Sequence, residues 1–125
     1  MLLRKRIEMH KNTPLNVTIC AMTKVSSLPI EISFEDSLQS KEAIVIDCRT
    51  IEEYENGHLK ESVHLPLQHL SIRIDDFPYQ RDEYIYVYCR IGNRSETFAL
   101  YLRSLGFLNC QSIAGGYELW GNPTC

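Results

Sequence analysis

Two features of the sequence predict an α/β fold. From Leu28 onward, short apolar runs suited to strands alternate with segments of helical spacing, a pattern that favours a sheet flanked by helices over a bundle or a sandwich. The chain has 125 residues, 44% hydrophobic and 23% charged, which suits one domain with a continuous core. Its apolar runs, such as Ala43–Ile46 and Tyr84–Tyr88, are far shorter than the ~20 residues a membrane span requires, so no membrane association is expected.

Residues 1–27 stand outside the alternation and are read as an N-terminal extension to a domain spanning 28–125. Leu3, Lys5, Ile7 and Met9 share one face of an extended chain, and Val17, Ile19 and Ala21 share one face of another. Asn12-Thr13-Pro14 can turn between them, giving a β-hairpin or arm. Such an arm would cover a sheet edge or join a second copy of the chain into a homo-oligomer.

Five strands are expected beyond it, at residues Ile30–Ser33, Ala43–Cys48, Ser62–Leu65, Tyr84–Cys89 and Asn109–Ile113. A two-turn helix follows the second strand. Thr50-Ile51-Glu52-Glu53 spells a capping box, and Gly57 supplies its stop. A longer helix is expected over Ser95–Ser104, because Phe98, Leu102 and Leu105 fall on one face and Gly106 closes it. Ser95 is its expected cap.

The net charge of -3 hides an asymmetry. The first 27 residues carry Arg4, Lys5, Arg6, Lys11 and Lys24 against Glu8, leaving an acidic body. A solvated chain end is the default reading of so few charges, and nucleic acid is not an expected partner. Met1–Arg6 is basic, but no apolar signal core or cleavage site follows. The five cysteines, at 20, 48, 89, 110 and 125, show neither a disulfide framework nor paired Cys-x-x-Cys metal spacing. A cytoplasmic, reducing setting with no metal and no cofactor is therefore expected. The sequon Asn16-Val17-Thr18 is read as chance.

The chemistry is expected in the loop Cys89-Arg90-Ile91-Gly92-Asn93-Arg94-Ser95. A thiol acts as a nucleophile through its thiolate, which needs positive potential. A buried strand, a glycine turn and a helix N-terminus supply it, as do Arg90 and Arg94. Gly92 lets the backbone curl its amides inward.

That loop resembles the Cys-x-x-Gly-x-Arg-Ser loop of rhodanese-like sulfurtransferases. Two further segments agree in order and spacing: Ile46-Asp47-Cys48-Arg49 through Glu53-Tyr54 to Gly57-His58-Leu59, and Ala114-Gly115-Gly116-Tyr117-Glu118-Leu119-Trp120. The likeness runs from about Leu28 to Pro123.

The resemblance implies a mainly parallel five-stranded sheet with Cys89 at the centre of a cradle of loop amides. It also implies a reaction in which a small sulfur donor such as thiosulfate, or a protein persulfide, leaves its outer sulfur on Cys89 as a persulfide. A thiol, cyanide or protein acceptor then removes that sulfur, by double displacement. By position Arg90 would steady departing sulfite and Arg94 would anchor the loop or the substrate charge. Asp47, Arg49, Glu53 and His58 would support the loop, with Arg49 pairing to Glu53 at i,i+4 and His58 orienting Asp47. Tyr117 and Trp120 would pack beneath it.

Lys60-Glu61 departs from the Pro-Gly usual in the family, so a looser turn is expected there; His64 and His69 have no counterpart.

Two other functions compete. Phosphatase or arsenate-reductase chemistry shares the fold, but its loop is His-Cys-x-x-x-x-x-Arg. Here Tyr88 precedes the cysteine, and Arg94 follows it by five positions rather than six. A shorter loop suits a single sulfur better than a tetrahedral phosphate. A regulatory or docking module would instead use Cys89 as a sensor thiol, with Cys48 or Cys110 as resolving partner.

Overall fold

The computed structural model describes residues 28–40 and 42–120, the Trp120 side chain excepted. In chain order the elements are β1 (Glu31–Ile32), α1 (Phe34–Ser37), β2 (Ile44–Asp47), α2 (Ile51–Glu55), β3 (Val63–His64), α3 (Leu70–Arg73), β4 (Ile85–Tyr88), α4 (Asn93–Ser104), β5 (Cys110–Ile113) and α5 (Gly116–Trp120). Short 3₁₀ turns, Leu67–His69 and Ile74–Asp76, flank α3. The expected arm and Trp120 packing lie outside what is described. No helix of the described residues is long and apolar enough to cross a membrane.

The five strands form one parallel sheet in the order β1-β5-β4-β2-β3. All five expected strands are present, each shorter than its sequence window because ladder pairing ends before the apolar run does. β4 lies in the middle with all four residues buried, so the loop that follows it opens at the carboxyl end of the sheet.

Alternation of strand side chains divides the core in two. Ile46, Ile85, Val87, Cys48 and Cys89 pack with Phe98, Ala99 and Leu102 of α4 on one face. Tyr86, Tyr88, Leu59 and Ile113 pack on the other, with Phe34 and Tyr117 against them. Phe98 and Leu102 have no exposed surface. Truncating Phe98 to Ala would cost about 3–5 kcal/mol and loosen α4 from beneath the loop.

Two local expectations change. Helix α4 starts at Asn93 with Gly92 as its N-cap, so Ser95 is not the cap. The glycine's backbone dihedral, φ 122°, lets the chain turn into the helix before Ser95 is reached, which puts Ser95 inside the first turn and turns its hydroxyl inward. The turn at Lys60-Glu61 is closed rather than loose. The Ser62 amide donates to the Leu59 carbonyl at 3.1 Å and the Ser62 hydroxyl to the same oxygen at 2.8 Å, while Glu61 takes the left-handed φ of 67° that glycine adopts freely. The segment between Leu67 and Asp76 has too little apolar periodicity to be read as helix in advance.

Candidate active site

Cys89 follows the last residue of β4, where the backbone leaves the sheet for α4. Its sulfur is reached by two loop amides, Gly92 N–H at 3.0 Å and Ser95 N–H at 3.4 Å. The Ser95 hydroxyl lies 3.5 Å away and is fixed by Ser112 Oγ at 2.6 Å and the Gly92 carbonyl at 3.1 Å. Ser112 comes from β5, so the neighbouring strand holds the cradle from below. The residue is only 1% exposed, so the sulfur is buried beneath the loop.

These contacts fix the state of the thiol. The Cys89 pKa is lowered to about 4, first by hydrogen bonding with Cys48 and then, against the opposing effect of burial, by the Ser95 hydroxyl and the Ser95 and Gly92 amides. The Cys48 thiol moves the other way, pushed up by the same contact with Cys89, by burial and by the charges of Cys89 and Asp47. Of the two, Cys89 is the one drawn toward its thiolate and Cys48 the one held as a thiol. Cys110 is buried elsewhere in the core and pushed up to about 12 by burial, so it remains a thiol.

The two loop arginines differ. Arg94 is half-buried and forked onto Glu53, Nη1 to Oε1 at 2.8 Å and Nη2 to Oε2 at 3.0 Å. Arg90 is exposed at the rim, with Glu118 at 3.4 Å. Ile91 and Asn93 are exposed with it, while Gly92 is buried.

Glu53 does not pair with Arg49. It accepts from the Thr50 amide and hydroxyl, completing the capping box, and spends its remaining capacity on Arg94. This holds its carboxyl at about 2, the Arg94 hydrogen bonds being the largest cause. Arg49 is claimed by its own strand neighbour: Nε and Nη2 reach the Asp47 carboxylate, the latter at 2.7 Å, while Nη2 also donates to the Gly57 carbonyl at 2.6 Å. Asp47 and Arg49 are both buried, so this pair is a fixed post tying the end of β2 to the turn after α2. Arg49, not His58, orients Asp47. The His58 Nδ1 meets the Tyr54 carbonyl at 2.9 Å, and its ring stacks on Tyr54, which also stacks on His64.

On the far side of the loop, α5 clamps the backbone. The Tyr117 and Glu118 amides donate to the Cys89 and Arg90 carbonyls at 2.8 and 2.9 Å. The Tyr117 ring lies 4.3 Å from the Arg49 guanidinium and stacks near Tyr88, as expected of a packing residue. The Tyr88 hydroxyl accepts from the Leu59 amide at 2.9 Å and is within 3.2 Å of Ser62 Oγ, turned to the face opposite α4. It thus holds the Gly57–Leu59 turn and does not approach the sulfur.

Sequence reasoning named Cys48 only as a resolving partner and did not name Ser112. The β2–β4 ladder brings Cys48 beside Cys89, and Ser112 on β5 reaches the site through Ser95. Among the described residues, no group of His, Cys, Asp and Glu could hold a metal ion.

Comparison with known proteins gives a consistent result. Residues 33–123 match the family model of the Rhodanese-like domain. The chain is 34% identical over 101 residues to thiosulfate sulfurtransferase GlpE of Pseudomonas syringae pv. syringae, covering 79% of this chain and 90% of that protein. It is 33% identical over 89 residues to adenylyltransferase and sulfurtransferase uba4 of Ogataea parapolymorpha, covering 71% of this chain but only 23% of that longer protein. The fold is similar to that of the human single-domain sulfurtransferase TSTD1, with a TM-score of 0.69 at 21% identity over 74% of this chain and 96% of that one.

Proposed function

Because the chain belongs to the rhodanese-like domain family, whose relatives here are named sulfurtransferases, we propose that it moves sulfane sulfur from thiosulfate or a persulfide donor to a nucleophilic acceptor through a persulfide on Cys89. The observation that carries this reading is the Cys89 sulfur, met by the Gly92 and Ser95 amides at the start of α4 and drawn toward its thiolate by Cys48, the Ser95 hydroxyl and those amides.

In the first half-reaction the thiolate attacks the outer sulfur of the donor. A bond forms between Cys89 Sγ and that sulfur, the donor's own S–S bond breaks, and sulfite leaves with the electron pair. In the second, a thiol or cyanide attacks the outer sulfur of the persulfide, and the pair of the broken bond returns to Cys89 Sγ. No external oxidant or metal is needed. Arg94, kept in place by Glu53, supplies positive charge beside an anionic donor, while Arg90 at the rim meets sulfite as it departs. Asp47, Arg49 and His58 serve as supports of the loop and its neighbouring turn.

The setting we propose is cytoplasmic, where Cys48, Cys89 and Cys110, all free, stay reduced. The chemistry belongs to the domain of residues 28–125, with 1–27 as an extension through which copies could associate. The test is mass spectrometry of the protein treated with thiosulfate. One added sulfur on the Cys89 peptide, removed by cyanide or reductant, is the expected result. Cys89 left unmodified, or rapid hydrolysis of an aryl phosphate, would overturn the reading in favour of a sensor thiol or a phosphatase.

A further inference from the structure

Cys48 lies outside the Cys89 loop, yet the sheet delivers it to that sulfur. In the β2–β4 ladder Ile46 is in register with Val87 and Asp47 with Tyr88, and the Cys48 amide donates to the Tyr88 carbonyl at 3.0 Å. The next rung therefore sets Cys48 beside Cys89. Ile46 and Val87 face α4, and side chains two residues on face the same way, so both thiols enter the same buried cluster. Each is 1% exposed.

We propose that Cys48 is a positioning residue, whose S–H donates a hydrogen bond to the Cys89 sulfur and thereby hastens the hand-off of sulfur from the Cys89 persulfide. When the acceptor attacks the outer sulfur, the breaking S–S bond leaves its electron pair on Cys89 Sγ, which is the leaving group. A thiolate leaves faster when its negative charge is stabilised. The Gly92 and Ser95 amides and the Ser95 hydroxyl act on the sulfur from the loop side; Cys48 acts from the sheet side, on β2. The proton stays on Cys48 Sγ throughout. Its burial and the nearby Asp47 charge keep it there, so Cys48 is a donor and not a second nucleophile.

The titration arm of the test does not depend on the proposed sulfur transfer. Alkylation of Cys89 by iodoacetamide, followed on its peptide against pH, reads the thiolate directly. Replacing Cys48 by Ala removes the donor and should raise the inflection by roughly one pH unit, about the effect of one hydrogen bond. Cys48→Ser, which offers an O–H from the same place, should restore part of the shift. Cys48→Val fills the space without a donor and gives the same reading should the alanine variant fail to fold. The second arm rests on the proposed function: single-turnover transfer from preformed persulfide to cyanide should slow several-fold in Cys48→Ala and recover in Cys48→Ser. An unchanged inflection in both Cys48→Ala and Cys48→Val would overturn the proposal. So would an equal rise in the serine variant, which would assign the effect to packing. A shifted inflection with no persulfide formed in any variant would leave the hydrogen bond standing and sink the sulfurtransferase reading instead.

Discussion

Glu53 and Arg94 join two parts of the chain that the sequence separates by 41 positions, through paired hydrogen bonds of 2.8 and 3.0 Å. The carboxylate that completes the capping box of α2 also fixes the arginine of the Cys89 loop, so the rigidity of this short helix is passed directly to the site.

Replacing Glu53 by Gln should show this coupling. Glutamine keeps an acceptor for the Thr50 amide, so α2 should persist, while Arg94 loses its charged partner. We expect kcat/KM for thiosulfate to fall by about an order of magnitude, on the scale of one charge-assisted hydrogen bond, with far-ultraviolet circular dichroism unchanged. Wild-type kinetics in this variant would mean that Arg94 is positioned by other contacts.

The same pair sets an acid limit. The Glu53 carboxyl in the folded protein lies at about 2, below its unfolded value of roughly 4.3. A lowered carboxylate contributes stability that is complete above the unfolded pKa and is lost as pH falls through the folded one. Denaturant midpoints for the wild type should therefore fall more steeply between about pH 4.3 and 2 than those of Glu53→Gln. Parallel curves for the two proteins would show that the pair adds nothing to stability.

The Cys89 thiolate predicts a second pH profile. With its pKa near 4, the rate of Cys89 alkylation should be flat from about pH 6 to 8 and decline only in acid. Burial slows the reagent equally at every pH, so the inflection reads the thiol alone. An inflection near the ordinary ~8.5 would mean that the loop amides do not act on this sulfur. Cys89→Ser should abolish sulfur transfer, whereas Cys110→Ala, far from the loop, should retain it at some cost in stability.

The positions of the five strands and the loop that carries Cys89 were legible because they depend on local signals: apolar runs, a capping box, and a glycine between strand and helix. What escaped depends on partners brought from elsewhere. Arg49 and Glu53 satisfy an i,i+4 rule, but Arg49 precedes the first turn of α2 and lies within reach of the buried Asp47 carboxylate, which takes it first. Cys48 beside the sulfur and Ser112 behind Ser95 follow from sheet register, which no linear spacing encodes. Ser95 carried a capping signal that the left-handed Gly92 overrode one turn earlier.

Glu61 offers a stability prediction from backbone conformation alone. Its φ of 67° is costly for a residue with a Cβ, and the side chain is exposed. Glu61→Gly should raise the midpoint of thermal unfolding by a few degrees, corresponding to about 0.5–1 kcal/mol. A lowered midpoint would show that the gain in chain entropy on unfolding outweighs the relief of strain.

Two glycines of the site should respond differently to alanine, and the difference separates strain from collision. At Gly92, φ is 122° but a Cβ would meet nothing within 4 Å, so Gly92→Ala carries only the conformational penalty, on the order of 1–3 kcal/mol. At Gly116, φ is 62° and a Cβ would sit 2.4 Å from the Cys89 carbonyl oxygen and 2.6 Å from that of Arg90. Those oxygens are backbone, and they accept the Tyr117 and Glu118 amides that clamp the loop, so neither can move without releasing it. Gly116→Ala should therefore push α5 off the loop, lower turnover severely and raise the Cys89 inflection as the cradle opens. Gly92→Ala should lower stability yet keep a measurable persulfide on Cys89. Persulfide yield and alkylation profile measured together on the two variants decide the matter: a Gly116→Ala protein with wild-type values in both would show that α5 does not hold the loop in place.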